Sequence, residues 1–476
     1  MRLRSLNEAV EKTTNFMHRS AETLLEDALA IWQAGVQAVM PDRLIREFVR
    51  VGPSETTRGQ TLEIGPESFL LTDIDRIAVV GAGKAGAGMV VALEQVLGRA
   101  LLQEKHVHGW VNVPADCLTE TMAIGLHAAR PAGINEPTAA GVAGTAQMFD
   151  LVKQLGPRDL CLVLLSGGGS ALMPAPIEGV SLPDKVFITQ RLAAAGATIE
   201  QLNAVRRELS QVKGGGLATA CRAGRMVTLI LSDVPGDHLE TIASGPTVAC
   251  TPNPQRAIGV LETLGLDEDP DTQTILQVLR QQARKPSKAA EVTASAGHLI
   301  LGNNATAVDA AGLEAERRGY RHAMISATRP EGPAEEVAAH LVEVAQTMRA
   351  NIFRGAASPD CLISGGEPTV QLVEPHQRGK GGRNQQLVLA GLVKLNDWKN
   401  LTLLSGGTDG EDGPTDAAGA WANQPLAERA RSSGLEPADY LDRNDAYSFF
   451  EPLGGLLKTG PTHTNVCDLR VITVSE

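Results

Sequence analysis

The sequence predicts an α/β protein with two α/β domains. The N-terminal domain is Rossmann-like with a parallel sheet, and the C-terminal domain is a smaller mixed α/β unit. Three observations carry this. At 476 residues the chain is too long for one ordinary core. Apolar runs of strand length alternate with longer helical patterns, the pattern of sheets with crossover helices. The strand-like runs also end repeatedly in glycine-rich or acidic loops: Gly81–Gly86, Ser166–Ala171, Ser232–Asp237, Ser364–Thr369 and Ser405–Asp416. In open α/β sheets that edge binds ligands.

Taken in order, 20–39 and 42–51 carry the helical period, with Pro41 at the junction. Residues 76–80 form a buried strand, Gly81-Ala82-Gly83-Lys84-Ala85-Gly86 a turn, and 87–97 a helix. The spacing matches G-x-G-x-x-G, but a dinucleotide site wants an acid about 20 residues on, at the end of the second strand. Here that strand, 106–113, ends at Pro114, and Asp116 lies beyond it. Lys84 inside the turn suits phosphate or carboxylate better. Residues 159–165 are the next strand, running into Ser166-Gly167-Gly168-Gly169-Ser170. A helix over 198–212 bears Asn203, Arg206 and Arg207 and leads into Lys213-Gly214-Gly215-Gly216. The strand 226–231 delivers Ser232-Asp233.

The stretch 252–285 is helical. Residues 284–297 lose periodicity and mark the domain boundary, giving domains 1–290 and 291–476. A strand at 298–301 is expected to open the second domain, followed by helices over 305–317 and 333–348. Residues 361–363 form a buried strand, and 369–373 alternate like a second one pairing with it. Gly379-Lys380-Gly381-Gly382-Arg383 then runs into a helix start, where glycines, a helix N-terminus and two cations together suit a phosphate. The strand 401–404 delivers four carboxylates within 409–416, a density that favours metal binding or proton transfer. They lack calcium-loop spacing. His463, in a polar turn of the tail, is a further acid–base candidate.

Composition narrows the class. The chain is 43% hydrophobic and 21% charged, ordinary for a soluble globular protein. A net charge of −12 argues against a nucleic-acid partner, yet a few local cations suffice for a small anion. Cys117, Cys161, Cys221, Cys250, Cys361 and Cys467 are scattered, which fits reduced thiols better than disulfides or zinc. The apolar stretch 24–40 is interrupted by Glu26 and Asp27 and is too short to span a bilayer. No secretory signal is evident, so a cytoplasmic protein without a membrane partner is expected. Neither a P-loop nor a G-x-S-x-G elbow occurs.

The segments VGAGKAGAGM (80–89), LSGGGSALMPAP (165–176), NAVRRELSQVKGGGLA (203–218), LSDVPGD (231–237), SGPT (244–247), SGGEPTV (364–370), GKGGRNQQ (379–386), SGGTDGEDGPTDAAGA (405–420) and KTGPTHTNVCDLR (458–470) resemble the type-2 glycerate kinase family. Members of that family carry a C-terminal MOFRL domain. The resemblance spans nearly the whole chain in the same order. Two departures are minor: Asn-Gln-Gln follows Arg383 where an acid often ends the loop, and His463 stands where glycine is common.

The resemblance implies ATP-dependent phosphorylation of D-glycerate to 2-phosphoglycerate, with the active site in a cleft between the domains. Some members have been labelled NAD(P)-dependent hydroxypyruvate reductases, which is the alternative reading. The implied partners are glycerate, ATP and Mg²⁺, in a monomer or homodimer. Phosphoryl transfer needs positioning and charge neutralisation more than covalent help. In that scheme Lys84 and Arg383 face the transferring phosphoryl group. Asp233 is the base for the C2 hydroxyl or else a metal ligand, and Glu367 and Asp409 are further metal candidates. Gly81, Gly83, Ser166, Gly167, Gly168, Gly169, Ser170 and Lys380 would bind nucleotide phosphates. Arg206 or Lys213 would hold the glycerate carboxylate. Because Lys84 and Arg383 sit on predicted loops, replacing either is expected to leave folding intact.

Overall fold

A computed structural model describes residues 18–53, 59–133, 136–285 and 295–476. Most of the expected 284–297 linker therefore lies outside the described residues. Packing divides the chain into two units. Of the described residues, one takes in those up to Ala38, Asn304–Thr462 and Cys467–Glu476; the other takes in those of Val39–Asn303 and His463–Val466.

In the Val39–Asn303 unit, β1 (Val49–Pro53), β2 (Gln60–Ile64) and β3 (Glu67–Leu70) form a small antiparallel sheet. The sequence predicts helix as far as residue 51; instead the helix stops at Phe48, and Val49 and Val51 pair with Ile64 and Leu62. β-Branched side chains suit that ladder. The main sheet comprises β4 (Ile77–Ala82), β5 (His108–Pro114), β6 (Ile124–Arg130), β7 (Leu160–Leu165), β8 (Arg225–Leu231) and β9 (Ser295–Gly302). It is parallel throughout, in the order β6-β5-β4-β7-β8-β9. β4 and β7 are buried along their whole length, as helix-covered parallel strands must be, hence their unbroken apolar sequences.

β9 corrects the expected boundary. Gly297–Ile300 pair with Val227–Ile230, so the strand assigned to the second domain completes the first sheet. An apolar run specifies a strand but not which sheet edge receives it.

In the other unit, β10 (His322–Ile325), β11 (Cys361–Gly366), β12 (Leu401–Gly407), β13 (Gly419–Asn423), β14 (Leu456–Leu457) and β15 (Asp468–Val474) form a mixed sheet, ordered β10-β11-β15-β12-β13-β14. β15 runs antiparallel between β11 and β12, so both of those strands end where β15 begins. The expected strand at 369–373 does not form; Thr369 makes only an isolated bridge to Pro333. The N-terminal helix Ala21–Ala38 also belongs here, through Trp32, whose Nε1 donates to the Gly406 carbonyl at 3.2 Å. The helices Ala334–Phe353 and Arg383–Lys394 pack with Trp398, Phe449 and Phe450 into its core. Among the described residues no helix is long and apolar enough to cross a membrane.

Candidate active site

The strand order reverses direction between β4 and β7, and the loops leaving these two strands interlock. The Lys84 amide donates to the Gly167 carbonyl at 2.9 Å, and the Ala85 amide donates to Ser166 Oγ at 3.0 Å. A methyl group on Gly81 would lie 2.1 Å from the Leu164 carbonyl oxygen, and one on Gly83 would lie 2.0 Å from Ser166 Oγ. Both glycines are thus demanded by the fit of one strand end against the other. Packing therefore accounts for the first two glycines of the G-x-G-x-x-G spacing. Ser166 is buried and its hydroxyl ties the two loops together.

Gly168 adopts φ +78° at the N-cap of the short helix Gly169–Leu172, a left-handed conformation that glycine enters at least cost. A Cβ there would lie 3.3 Å from Arg130 Nη2 and 3.7 Å from Lys84 Cγ, so both cationic side chains flank this turn. Gly167 is equally constrained: a Cβ would fall 2.5 Å from Asp233 Oδ2 and 2.1 Å from Asn465 Nδ2. Those two side chains pair at 3.3 Å, leaving Asp233 half-buried beside the glycine loop.

Ser170 is the hub of a cavity of about 440 Å³ lined by Ser166, Gly168, Ser170, Lys185, Arg206, Lys213 and Asp233, among others. Arg206 Nη2 and Lys213 Nζ donate to Ser170 Oγ at 2.7 and 2.5 Å, and Lys213 also reaches Ser244 Oγ at 3.1 Å. Ala243 and Ser244 both hold positive φ, 50° and 64°. Such strain persists where surrounding bonds impose it. Here Gly214 and Gly215 donate to the carbonyls of Ser244 and Gly245.

Lys185 is the residue that the sequence reading missed. It lies on the helix Leu182–Ala194, buried on one face with Ile188 and Leu192, and its Nζ has no hydrogen-bond partner among the described residues. The i, i+3, i+7 spacing was the available signal. Burial and then the Arg206 charge push the Lys185 amine down to about 7. Burial, Arg206 and Lys185 likewise hold Lys213 well below the usual lysine range. Arg206 and Lys213 therefore converge on a neutral hydroxyl, with the unpartnered Lys185 on the same cavity wall, an arrangement suited to an anion.

This has a consequence for stability. Unfolded Lys185 stays protonated to about pH 10.4, whereas folded Lys185 releases its proton near 7. The penalty for burying its charge is complete below pH 7 and fades as pH rises from 7 towards 10. Lys185→Met is accordingly expected to melt higher than wild type at pH 6.5, with the gap narrowing by pH 9. Melting curves without ligand check this; a gap independent of pH would contradict it.

In the other unit, Arg383 opens the helix Arg383–Lys394. Its Nε and Nη2 bind the two Asp468 oxygens at 2.7 and 2.9 Å, and Nη1 binds Glu367 at 2.7 Å. Burial works to lower the guanidinium pKa, but the Asp468 and Glu367 carboxylates more than reverse it. Asp468, fully buried at the start of β15, faces the ends of both β11 and β12. It too was absent from the residues singled out in the sequence.

The dense acid cluster separates into different tasks. Asp412 accepts the amides of Asn384 and Gln385 at 3.0 and 2.9 Å, capping the helix that Arg383 begins. Asp416 binds Tyr447 and Lys458, and Asp409 accepts the Glu411 amide at 3.0 Å. Among the described residues no group of three or more acidic, histidine or cysteine side chains could hold a metal. Lys380 is exposed, its ammonium 4.0 Å above the Tyr447 ring. His463 is exposed at φ +59°.

Two family models match different parts of the chain. Residues 27–280 match a domain of unknown function, DUF4147, and residues 360–468 match the MOFRL family. The chain is 36% identical to a glycerate kinase of Homo sapiens over 95% of its length and 94% of that protein. It is 34% identical to a D-glycerate 2-kinase of Thermotoga maritima, over 94% and 98% of the two chains. A crystal structure of Thermotoga maritima glycerate kinase superposes with a TM-score of 0.76 at 32% identity, covering 95% of this chain and all of that one.

Proposed function

Since the chain belongs to the glycerate kinase family, we propose that it transfers the γ-phosphoryl group of ATP to the C2 hydroxyl of D-glycerate. The observation that carries the reading is the cationic cavity around Ser170, which has Asp233 on its wall. Arg206 and Lys213 hold the carboxylate of the hydroxy acid. Asp233, oriented by Asn465, takes the proton of the attacking hydroxyl. Backbone amides of 167–170 meet phosphate oxygens, and Lys84 and Arg383 neutralise the charge of the transferring group. Lys380 lends further positive charge to nucleotide phosphate. The scattered, unbridged cysteines support a reducing, cytoplasmic setting.

The residues present fit magnesium when phosphate completes its shell, because that ion needs only one or two carboxylates of the protein. Asp468 and Asp409 both raise the Glu367 carboxyl by repulsion, after burial and against Arg383, so these acids outnumber the guanidinium they surround. Asp409 and Glu367 are the candidate ligands, Glu367 being also paired with Arg383. Bound there, the ion would neutralise negative charge on the phosphate. Asp409→Asn is expected to raise the Mg²⁺ concentration for half-maximal rate about tenfold or more. An unchanged metal dependence would remove Asp409 from this role.

The assignment is tested by incubating the protein with D-glycerate, ATP and Mg²⁺, and separately with hydroxypyruvate and NADH. ADP and 2-phosphoglycerate should form in the first mixture, with no NADH oxidation in the second. The reverse outcome would overturn the kinase reading.

A further inference from the structure

The cavity around Ser170 gathers three basic side chains, Lys185, Arg206 and Lys213, with Glu136 and Asp233 also on its wall. Arg206 and Lys213 spend their shortest bonds on the Ser170 hydroxyl, a neutral acceptor. Lys185 has no acceptor among the described residues, although only 8% of it is exposed. The helix that carries it is fixed at its N-terminus by a capping box between Ser181 and Asp184. Its buried neighbours Ile188 and Leu192 hold its stem against the interior, and the residue lines the cavity wall. The neighbouring charge acting on Lys185 is Arg206, which repels it. The charges acting on Lys213 are Arg206 and Lys185. Three basic side chains are therefore gathered in one buried space, where burial and mutual repulsion oppose the charging of the two lysines until an anion arrives.

D-Glycerate brings a single negative charge. Its carboxylate can satisfy one or two of these groups, and an unanswered buried cation is costly. Once phosphorylated at C2, the same molecule carries its carboxylate and a phosphate of about −1.5 to −2 on adjacent carbons. We propose that Lys185 completes, with Arg206 and Lys213, a three-cation socket matched to the phosphorylated product, so that the cavity binds 2-phosphoglycerate far more tightly than D-glycerate. This rests on the glycerate kinase reading above. Lys185 is then a group whose interaction is realised only as the phosphoryl group arrives, the kind of binding that lowers a barrier rather than merely KM. The same match makes departure of the product slow relative to that of the substrate.

Calorimetric titration of the full chain, without nucleotide, tests the socket using D-glycerate, 2-phosphoglycerate and inorganic phosphate as ligands. Wild type should bind 2-phosphoglycerate about 100-fold more tightly than D-glycerate, and phosphate should compete with the product. Lys185→Met should weaken the product about 30-fold, the scale of one charge-assisted hydrogen bond, and D-glycerate less than about 3-fold. Lys185→Arg should restore most of the difference. Equal weakening of both ligands in Lys185→Met, or absence of competition by phosphate, would overturn the proposal. Should Lys185→Met not fold, the wild-type ratio decides alone: affinities within about 3-fold of each other defeat it. ADP formation from glycerate and ATP is followed in the same preparations. Turnover with a flat affinity ratio removes the socket and leaves the kinase reading; no turnover removes both.

Discussion

Lys84→Ala is expected to lower kcat by about 10³-fold while leaving the melting temperature close to wild type, the scale seen when a group neutralising transition-state charge is removed. The stability half of this expectation comes from the loop geometry. The contact that locks position 84 to Gly167 is made by its backbone amide, which alanine keeps. The two glycines that precede it, Gly81 and Gly83, are held by close fit to Leu164 and Ser166. Steady-state kinetics and thermal melting on the purified variant check both halves. Retention of more than about a tenth of wild-type kcat would show that Lys84 does not act on the transferring group.

Arg383→Ala is expected to lose kcat on the same scale, about 10³-fold, but also to lose stability. The sequence places Arg383 on a loop and predicts unaltered folding; the structure corrects this. Its guanidinium is the paired partner of Asp468, whose side chain is 0% exposed. Truncating one member of such a pair leaves a buried charge unanswered. The cost is on the order of 3 kcal/mol, the lower end of the usual range because the arginine side is 32% exposed. A companion substitution separates the two effects. Arg383→Ala with Asp468→Asn should recover much of the stability, since the orphaned charge is gone, and none of the rate. Urea unfolding and kcat, measured on both variants, give the answer. Recovery of kcat in the double variant would mean that Arg383 serves folding alone.

Much of the architecture was legible from local pattern. The unbroken apolar runs of β4 and β7 marked buried parallel strands, because parallel strands covered by helices on both faces must be apolar throughout. Glycine loops at their ends marked the ligand-binding edge. Arg206, Lys213 and Ser170 were found from the sequence, and the fold gathers them in one cavity. β9 was recognised as a strand but assigned to the wrong sheet, since the hydrogen bonds that place it join Val227–Ile230 to residues some seventy positions away. The density of the acid run 409–416 conceals separate tasks: Asp412 spends both oxygens on helix amides, and Asp416 binds a tyrosine and a lysine.

By itself, then, the sequence determined the α/β class and most of its strands and helices, and the resemblance of its motifs pointed to the family. The class follows from periodicity and turn residues, which act over a few neighbouring residues. Only the tertiary structure decided which charges answer one another. Asp468 meets Arg383 across 85 residues because β15 inserts antiparallel between β11 and β12. Lys185 comes to face Arg206 and Lys213 because its helix turns that face inward with Ile188 and Leu192. Whether a charged side chain is solvated, paired or left waiting for a ligand depends on desolvation and on neighbours distant in sequence, and no local pattern encodes either.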